Sequence, residues 1–122
     1  MYKRQGMESA VREEQEELRD SLLLDIYGGL LTQKQREALH MQLDLDYSLS
    51  EIAENQGVTR QAALDAVKRG IARLRELEKS LRIYERFARS MGVLARMEAL
   101  AERQGNQEML EALREARSIW ED

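Results

Sequence analysis

The sequence contains no cysteine and no proline, and its 122 residues include a single tryptophan, a single phenylalanine and a single histidine. Without cysteine, neither disulfides nor thiol chemistry are possible, which fits the reducing environment of the cytoplasm, where we expect the protein. The longest leucine run, Leu22–Leu24, is far too short to cross a bilayer, and residues 1–6 do not resemble a secretory signal. We therefore expect no membrane insertion.

What the chain has in abundance are charged residues and strong helix formers. Charged residues make up 34% of the sequence, with a net charge of −4. Leucine, alanine, glutamate, arginine and glutamine dominate, and this composition predicts an all-α fold in a single helical domain over residues 1–122. No glycine-rich phosphate loop, nucleophile–base pair or ligand cluster stands out, so we predict a non-enzymatic protein without catalytic residues, metal or cofactor. The lone histidine, His40, is expected at the surface.

Residues 31–75 carry the clearest pattern, in which two helix starts are separated by a glycine. Ser50 is expected to cap a short helix, and Gly57 can adopt the left-handed conformation that ends it. Thr59 then caps a third helix beginning at Arg60. Two helices joined by a short turn with glycine are typical of a helix-turn-helix. The predicted inward side chains are Ile52, Ala53, Val58, Ala63 and Val67. The alternative is a helical hairpin whose outer face binds nothing.

This stretch resembles region four of bacterial sigma factors, in LT-x-x-x-R, SLSEIAE and GVTR. It also resembles the YlxM family of small bacterial proteins, over about residues 22–85, in YGGLLTQKQRE, SLSEIAE, GVTRQA and a later KR. The resemblance implies a sigma region four-like helix-turn-helix with an added N-terminal helix and C-terminal helices. It further implies a regulatory or accessory role in the signal recognition particle pathway, with the particle's GTPase or its RNA as partner.

Hydrophobic periodicity places helices on both sides of the motif. The first is expected over Met7–Tyr27 and is ended by Gly28 and Gly29, with an inward stripe of Val11, Leu18, Leu22 and Ile26. Thr32 is expected to cap a second helix over about Gln33–Asp44. The helix-turn-helix core covers residues 31–79. Beyond it, the apolar seam continues either as one long helix or as two helices with a break near Ser80.

Two more glycines are expected to divide the C-terminal part of the chain. Gly92 and Gly105 bound a predicted helix at Val93–Gln104, and Asn106 caps a last helix at Gln107–Glu121. These two helices form a C-terminal helical extension over residues 93–122. The seam past Leu77 and the N-terminal helix offer apolar surface for a second copy, so we expect a homodimer.

Candidate binding residues lie on the third helix of the motif, which is locally basic. In a helix-turn-helix, the N-terminal residues of this helix enter the DNA major groove. Arg60 and Gln61 can hydrogen-bond base edges, while Lys68 and Arg69 can reach phosphates. The alternative is that these cations form an ordinary solvated helix face.

Leu64 and Asp65 count against DNA reading, because sigma-like readers place polar or basic side chains at these positions. A carboxylate is repelled by phosphate, and a leucine offers an apolar group. Both residues are therefore predicted to face a partner protein. Three hypotheses remain: a signal recognition particle accessory protein, a sequence-specific DNA-binding regulator, and a helical oligomerisation protein whose motif no longer binds anything.

Overall fold

The computed structural model describes residues 2–121, with side chains at residue 6 and from residue 8 onward. Within these residues it contains six α-helices and no strand, which confirms the all-α fold. The helices are α1 (Tyr2–Tyr27), α2 (Gln33–Leu39), α3 (Leu49–Gln56), α4 (Arg60–Leu81), α5 (Ile83–Arg103) and α6 (Gln107–Ser118). A 3₁₀ turn (Gly28–Leu30) follows α1, and a π-helical turn (His40–Asp44) continues α2. The chain forms two compact units, which meet in sequence between Arg82 and Ile83.

The core of the first unit is built where α1, α2 and α3 each pack against α4. Its buried apolar residues are Leu23, Leu24, Tyr27, Leu31, Ala38, Leu39, Met41, Ile52, Ala53, Ala63, Val67 and Leu74. Two polar contacts reach across it. Arg75 binds the buried Asp20 through two hydrogen bonds of 2.8 and 3.2 Å, and the Tyr27 hydroxyl donates to Glu78 at 2.6 Å. Each buried carboxylate therefore has a partner, as burial requires.

The predicted inward stripe of α1 is wrong. Val11 and Leu18 are 50% and 63% exposed, and Leu22 and Ile26 are each 36% exposed. The buried face of α1 instead carries Leu23, Leu24 and Tyr27, together with Asp20. Leucines lie on several sides of this helix, so periodicity alone could not select the face. Packing of this face against α4, together with the ion pair of Asp20 with Arg75, 55 residues away, holds it inward.

The start of α2 agrees with the sequence, and α2 packs closely on α4. Thr32 caps α2 in a capping box, accepting from the Gln35 N–H while its own N–H donates to the Gln35 side chain. At the crossing, the buried Gly70 of α4 lies directly against Leu39. A Cβ at position 70 would lie 2.8 Å from Leu39 Cδ1, so glycine permits this approach.

Of the two alternatives past the motif, one long helix or two helices with a break near Ser80, the structure shows the second, with the break two residues further on. α4 ends at Leu81, and Arg82 adopts a left-handed conformation with φ of 55°. The helix expected to start at Val93 is wrong, because α5 begins at Ile83 and runs straight through Gly92. The exposed Gly92 has no positive φ and interrupts nothing.

The second unit is a hairpin of α5 and α6. Gly105 turns the chain with φ of 63°, and the Asn106 side chain accepts from the Met109 N–H at 3.0 Å, so the predicted turn and cap are confirmed. The last helix ends at Ser118, three residues earlier than expected. Ala101, Leu110 and Leu113 form the small buried core of this hairpin, with Leu94 packed against them.

Candidate helix-turn-helix interface

The turn between α3 and α4 is set by local hydrogen bonds on both sides of Gly57. Gly57 ends α3 with φ of 65° and ψ of 36°, and the Val58 N–H donates to the Ala53 carbonyl at 3.0 Å. This left-handed turn with its bond back to the last helical turn is a common helix ending, and glycine adopts it at little cost. Thr59 then accepts from the Ala62 N–H at 3.1 Å and starts α4. The predicted roles of Gly57 and Thr59 are confirmed.

The cap predicted at Ser50 is wrong, because Ser48 performs that role. The Ser48 hydroxyl accepts from the Glu51 N–H, and the Glu51 carboxylate accepts from the Ser48 N–H, both at 3.1 Å. The backbone N–H of Ser48, with help from its hydroxyl, lowers the pKa of Glu51 below its ordinary value. Ser50 lies within the first turn of the helix, two residues after the cap.

The buried residues of α3 and α4 fix which side of α4 points outward. Ile52 and Ala63 are fully buried, Ala53 and Val67 nearly so, and Val58 is half-buried. The predicted inward set is therefore confirmed. Two alanines at the crossing allow the helices to approach closely, and the opposite face of α4 is left for a partner.

Arg60, Gln61 and Lys68 are exposed near the N-terminal end of α4. Within the part of the chain that the structure describes, their side chains make no hydrogen bond or ion pair. Arg60 and Gln61 also lie in the first turn of α4, where free backbone N–H groups and the helix dipole favour an anion, whereas Lys68 lies about two turns further along the helix. The three side chains are thus free to contact a negatively charged or hydrogen-bonding ligand.

Asp65 and Arg69 lie on the same outer face and bind each other. Asp65 Oδ2 is 3.1 Å from Arg69 Nε, and both side chains are more than half exposed. The pair is close to neutral as a unit, so the carboxylate opposes an approaching phosphate less than its sequence position suggests. Leu64 is half-buried at the edge of this face, so only part of its side chain is available to a partner.

A groove of about 690 Å³ adjoins Arg69 and was not recognisable in the sequence. It lies between the start of α2 and the middle of α4, and it is lined by Leu30, Thr32, Gln35, Arg69, Ala72, Arg73 and Glu76. Leu30 is 62% exposed at its edge. About 40 residues separate Leu30 from the α4 wall, so only the packing of α2 on α4 creates the groove.

His40 does not form a catalytic arrangement. Its Nδ1 lies 2.8 Å from Asp44, whose other oxygen accepts from the Ser21 hydroxyl at 2.7 Å. The carboxylate lies between the serine and the imidazole, so the arrangement differs from a serine–histidine pair, in which the imidazole contacts the hydroxyl directly. Across residues 2–121, no group of acidic, histidine or cysteine side chains has the geometry of a metal site, and no helix is long and apolar enough to span a membrane.

The helices α3 and α4 are each capped by a hydroxyl side chain and are joined by a left-handed glycine, and the outer face of α4 is exposed. This arrangement defines a helix-turn-helix protein. The chain belongs to the UPF0122 family, described as "Putative helix-turn-helix protein, YlxM / p13 like", whose model matches residues 14–115.

Individual relatives match over different lengths. A UPF0122 protein of Halalkalibacterium halodurans is 38% identical over 99 residues, covering 81% of this chain and 91% of the relative. One of Thermoanaerobacter sp. is 39% identical over 106 residues, covering 83% and 91%. One of Acetivibrio thermocellus is 48% identical over 67 residues, and there the match spans 55% of this chain and 57% of the relative.

Proposed function

We propose that this protein is a non-enzymatic regulatory protein that docks on nucleic acid through the N-terminal half of α4. The observation that carries the proposal is the exposed group of Arg60, Gln61 and Lys68, which have no partner within the described residues. Cationic and amide side chains at the start of this helix are the groups that helix-turn-helix proteins use on phosphates and base edges.

The resemblance to YlxM proteins suggests the signal recognition particle as the target, in the cytoplasm. In an RNA duplex the major groove is too deep and narrow for a helix to read, so contacts with the particle's RNA would be to phosphates and riboses. In that case Arg60 and Lys68 carry the binding and sequence has little effect. The alternative is a sequence-specific DNA regulator, in which Arg60 and Gln61 hydrogen-bond to bases in the major groove.

A salt titration of binding tests the proposal. We expect Arg60→Ala with Lys68→Ala to weaken binding of the particle's RNA and of duplex DNA. On duplex DNA, each lost phosphate contact should reduce the slope of log K against log salt by about 0.9 in magnitude. The reduction is therefore about 1.8 if Arg60 and Lys68 both contact phosphates, and about 0.9 if Arg60 binds a base edge instead. Fluorescence anisotropy from 50 to 300 mM salt measures both quantities. If the double variant binds like the parent at every salt concentration, α4 does not contact the phosphates.

Two further variants test whether binding depends on the position of a charge on α4 or only on the total charge of the protein. Lys79→Ala removes one charge from the same helix about 17 Å beyond Lys68, and we expect little change. Asp65→Asn removes the carboxylate and releases Arg69, so nucleic-acid binding should tighten. Weaker binding by this variant would indicate that the ion pair itself belongs to the contact surface.

The groove beside Arg69 supports a second candidate, contact with the particle's GTPase. Leu30 offers an exposed apolar side chain at the edge of that groove, as a protein interface requires and a phosphate contact does not. We expect Leu30→Ser to weaken binding to the purified GTPase, with little dependence on salt, while leaving RNA binding unchanged. Equal GTPase binding by parent and variant would remove the groove from consideration.

A further inference from the structure

The α5–α6 hairpin leaves much of its apolar surface uncovered. Four large side chains lie on one face of it: Val93, Met97 and Leu100 of α5 and Met109 of α6, each 40–52% exposed. A groove of about 710 Å³ runs along this face between Val93 and Ala116. We call this surface the open face. Among the described residues of the hairpin, only three apolar side chains are buried, and two helices with so small a core need a further layer.

Charged residues border the open face on both edges, with opposite sign. At 100° per residue, Arg89, Arg96 and Arg103 lie on the edge of α5 that points away from α6, one every two turns. We call them the arginine edge. By the same rule Glu108 and Glu115 lie beyond Ala112 on the outer edge of α6, and they form the glutamate edge. None of these five side chains has an ion-pair partner within the described residues.

The two edges also match in height along the hairpin. Arg103 lies two residues before the turn at Gly105 and Glu108 three residues after it, while Arg96 and Glu115 lie nine and ten residues away. Since a helix rises about 1.5 Å per residue, each arginine and its matching glutamate are level to within about one residue. Within one hairpin they are on opposite edges, too far apart to pair.

A second copy of the same hairpin fits this arrangement. We propose that the open face is a dimer interface, at which two hairpins pack face to face about a two-fold axis parallel to their helices and form a four-helix bundle. The rotation keeps every residue at its height and places the arginine edge of one copy against the glutamate edge of the other. Arg96 then faces Glu115 of the second copy, and Arg103 faces Glu108 of the second copy.

The charges on the two edges favour a two-fold axis parallel to the helices over one perpendicular to them. A two-fold axis perpendicular to the helices would place arginine edge against arginine edge and glutamate edge against glutamate edge. Like charges in such rows repel, so that arrangement is disfavoured. The apolar side chains of the open face are buried in either case, and the charged edges decide the direction of packing.

Charge reversal in trans tests the interface on the full chain. Sedimentation velocity should show the parent as a dimer at micromolar concentration. R96E/R103E makes acidic the part of the arginine edge that faces Glu108 and Glu115, and E108R/E115R makes the glutamate edge basic. Like charges then meet at both edge contacts, so each variant alone should dimerise at least about tenfold more weakly. An equimolar mixture should recover the parent's affinity, because both edge contacts of the mixed dimer are again attractive.

Matched controls keep the result interpretable. R114E reverses a charge on the side of α6 opposite Ala112 and should leave the dimer intact. Circular dichroism checks that the variants stay helical. If either double variant loses helix, the quadruple variant R96E/R103E/E108R/E115R, which restores opposite edges within one chain, replaces the mixture and should dimerise like the parent. A monomeric parent at tens of micromolar would overturn the proposal, as would double variants that dimerise normally or a charge-restored sample that stays monomeric.

Discussion

Gly70 gives the most direct test of how α2 and α4 are packed. Gly70→Ala would place a methyl group 2.8 Å from Leu39 Cδ1 and 3.2 Å from Leu39 Cγ. Alanine stabilises a helix interior by about 1 kcal/mol relative to glycine, which favours the variant. Overpacking of a well-filled core costs about 1–3 kcal/mol, which opposes it. Leu39 is fully buried and has little room to move, so we expect net destabilisation of about 1 kcal/mol.

Urea unfolding followed by far-UV circular dichroism measures this difference. With a slope of about 1–3 kcal/mol per molar urea, the midpoint of the first unit should fall by roughly 0.5 M. Trp120 lies in the second unit, so its fluorescence follows the unfolding of that unit separately.

Gly92→Ala is the matched control, because it makes the same change inside another helix. No atom lies within 4 Å of a Cβ built at position 92. The gain in helix propensity is therefore not offset, and the hairpin should be stabilised by about 0.5–1 kcal/mol.

Leu39→Val shortens the side chain that opposes Gly70, and it should be better tolerated together with Gly70→Ala than alone. Gly70→Ala that stabilises the protein as much as Gly92→Ala does would refute the close approach of α4 to Leu39.

Two smaller predictions concern local hydrogen bonds. Ser48→Ala should destabilise the first unit by about 1 kcal/mol through loss of the α3 cap, whereas Ser50→Ala should change its stability by less than about 0.5 kcal/mol; equal effects in thermal unfolding would contradict the cap assignment. Hydrogen bonds from Ser21, and then from His40, lower the pKa of Asp44. A depressed folded-state pKa stabilises the fold above the unfolded value near pH 4 and loses that contribution as the pH falls through the folded value. Asp44→Asn should therefore be less stable than the parent at neutral pH, and the difference should shrink below about pH 4 in urea titrations; a constant difference would rule out this linkage.

The helix-turn-helix was predictable because its determinants are local. Gly57 and Thr59 act through hydrogen bonds that span no more than five residues. The correct cap could also have been found, since Ser48 and Glu51 have the serine-x-x-glutamate spacing of a capping box, while the residue three after Ser50 is Ala53. The sequence therefore distinguishes the two serines, because only Ser48 has a glutamate three residues later.

The buried face of α1 and the start of α5 differ from the sequence prediction, because both depend on the packing around these segments. The buried face of α1 packs on α4 and pairs Asp20 with Arg75, 55 residues away, and a local sequence pattern does not include both partners. Gly92 continues a helix, while Arg82 interrupts one without being glycine. A glycine thus indicates where a left-handed turn costs little free energy, and the surrounding packing determines where a turn occurs.

The outer face of α4 is the place where sequence and structure give different expectations for the same residue. In the sequence, Asp65 is a negative charge among cations and counts against nucleic acid. In the structure, Arg69 lies 3.1 Å from it, which leaves Arg60 and Lys68 as the net charge of the face. An exposed ion pair contributes only about 0–1 kcal/mol, so an approaching phosphate can draw Arg69 away at small cost. The exposed Asp65 would then oppose that same phosphate, which makes the carboxylate a restraint on affinity and is the reason that its removal should tighten binding.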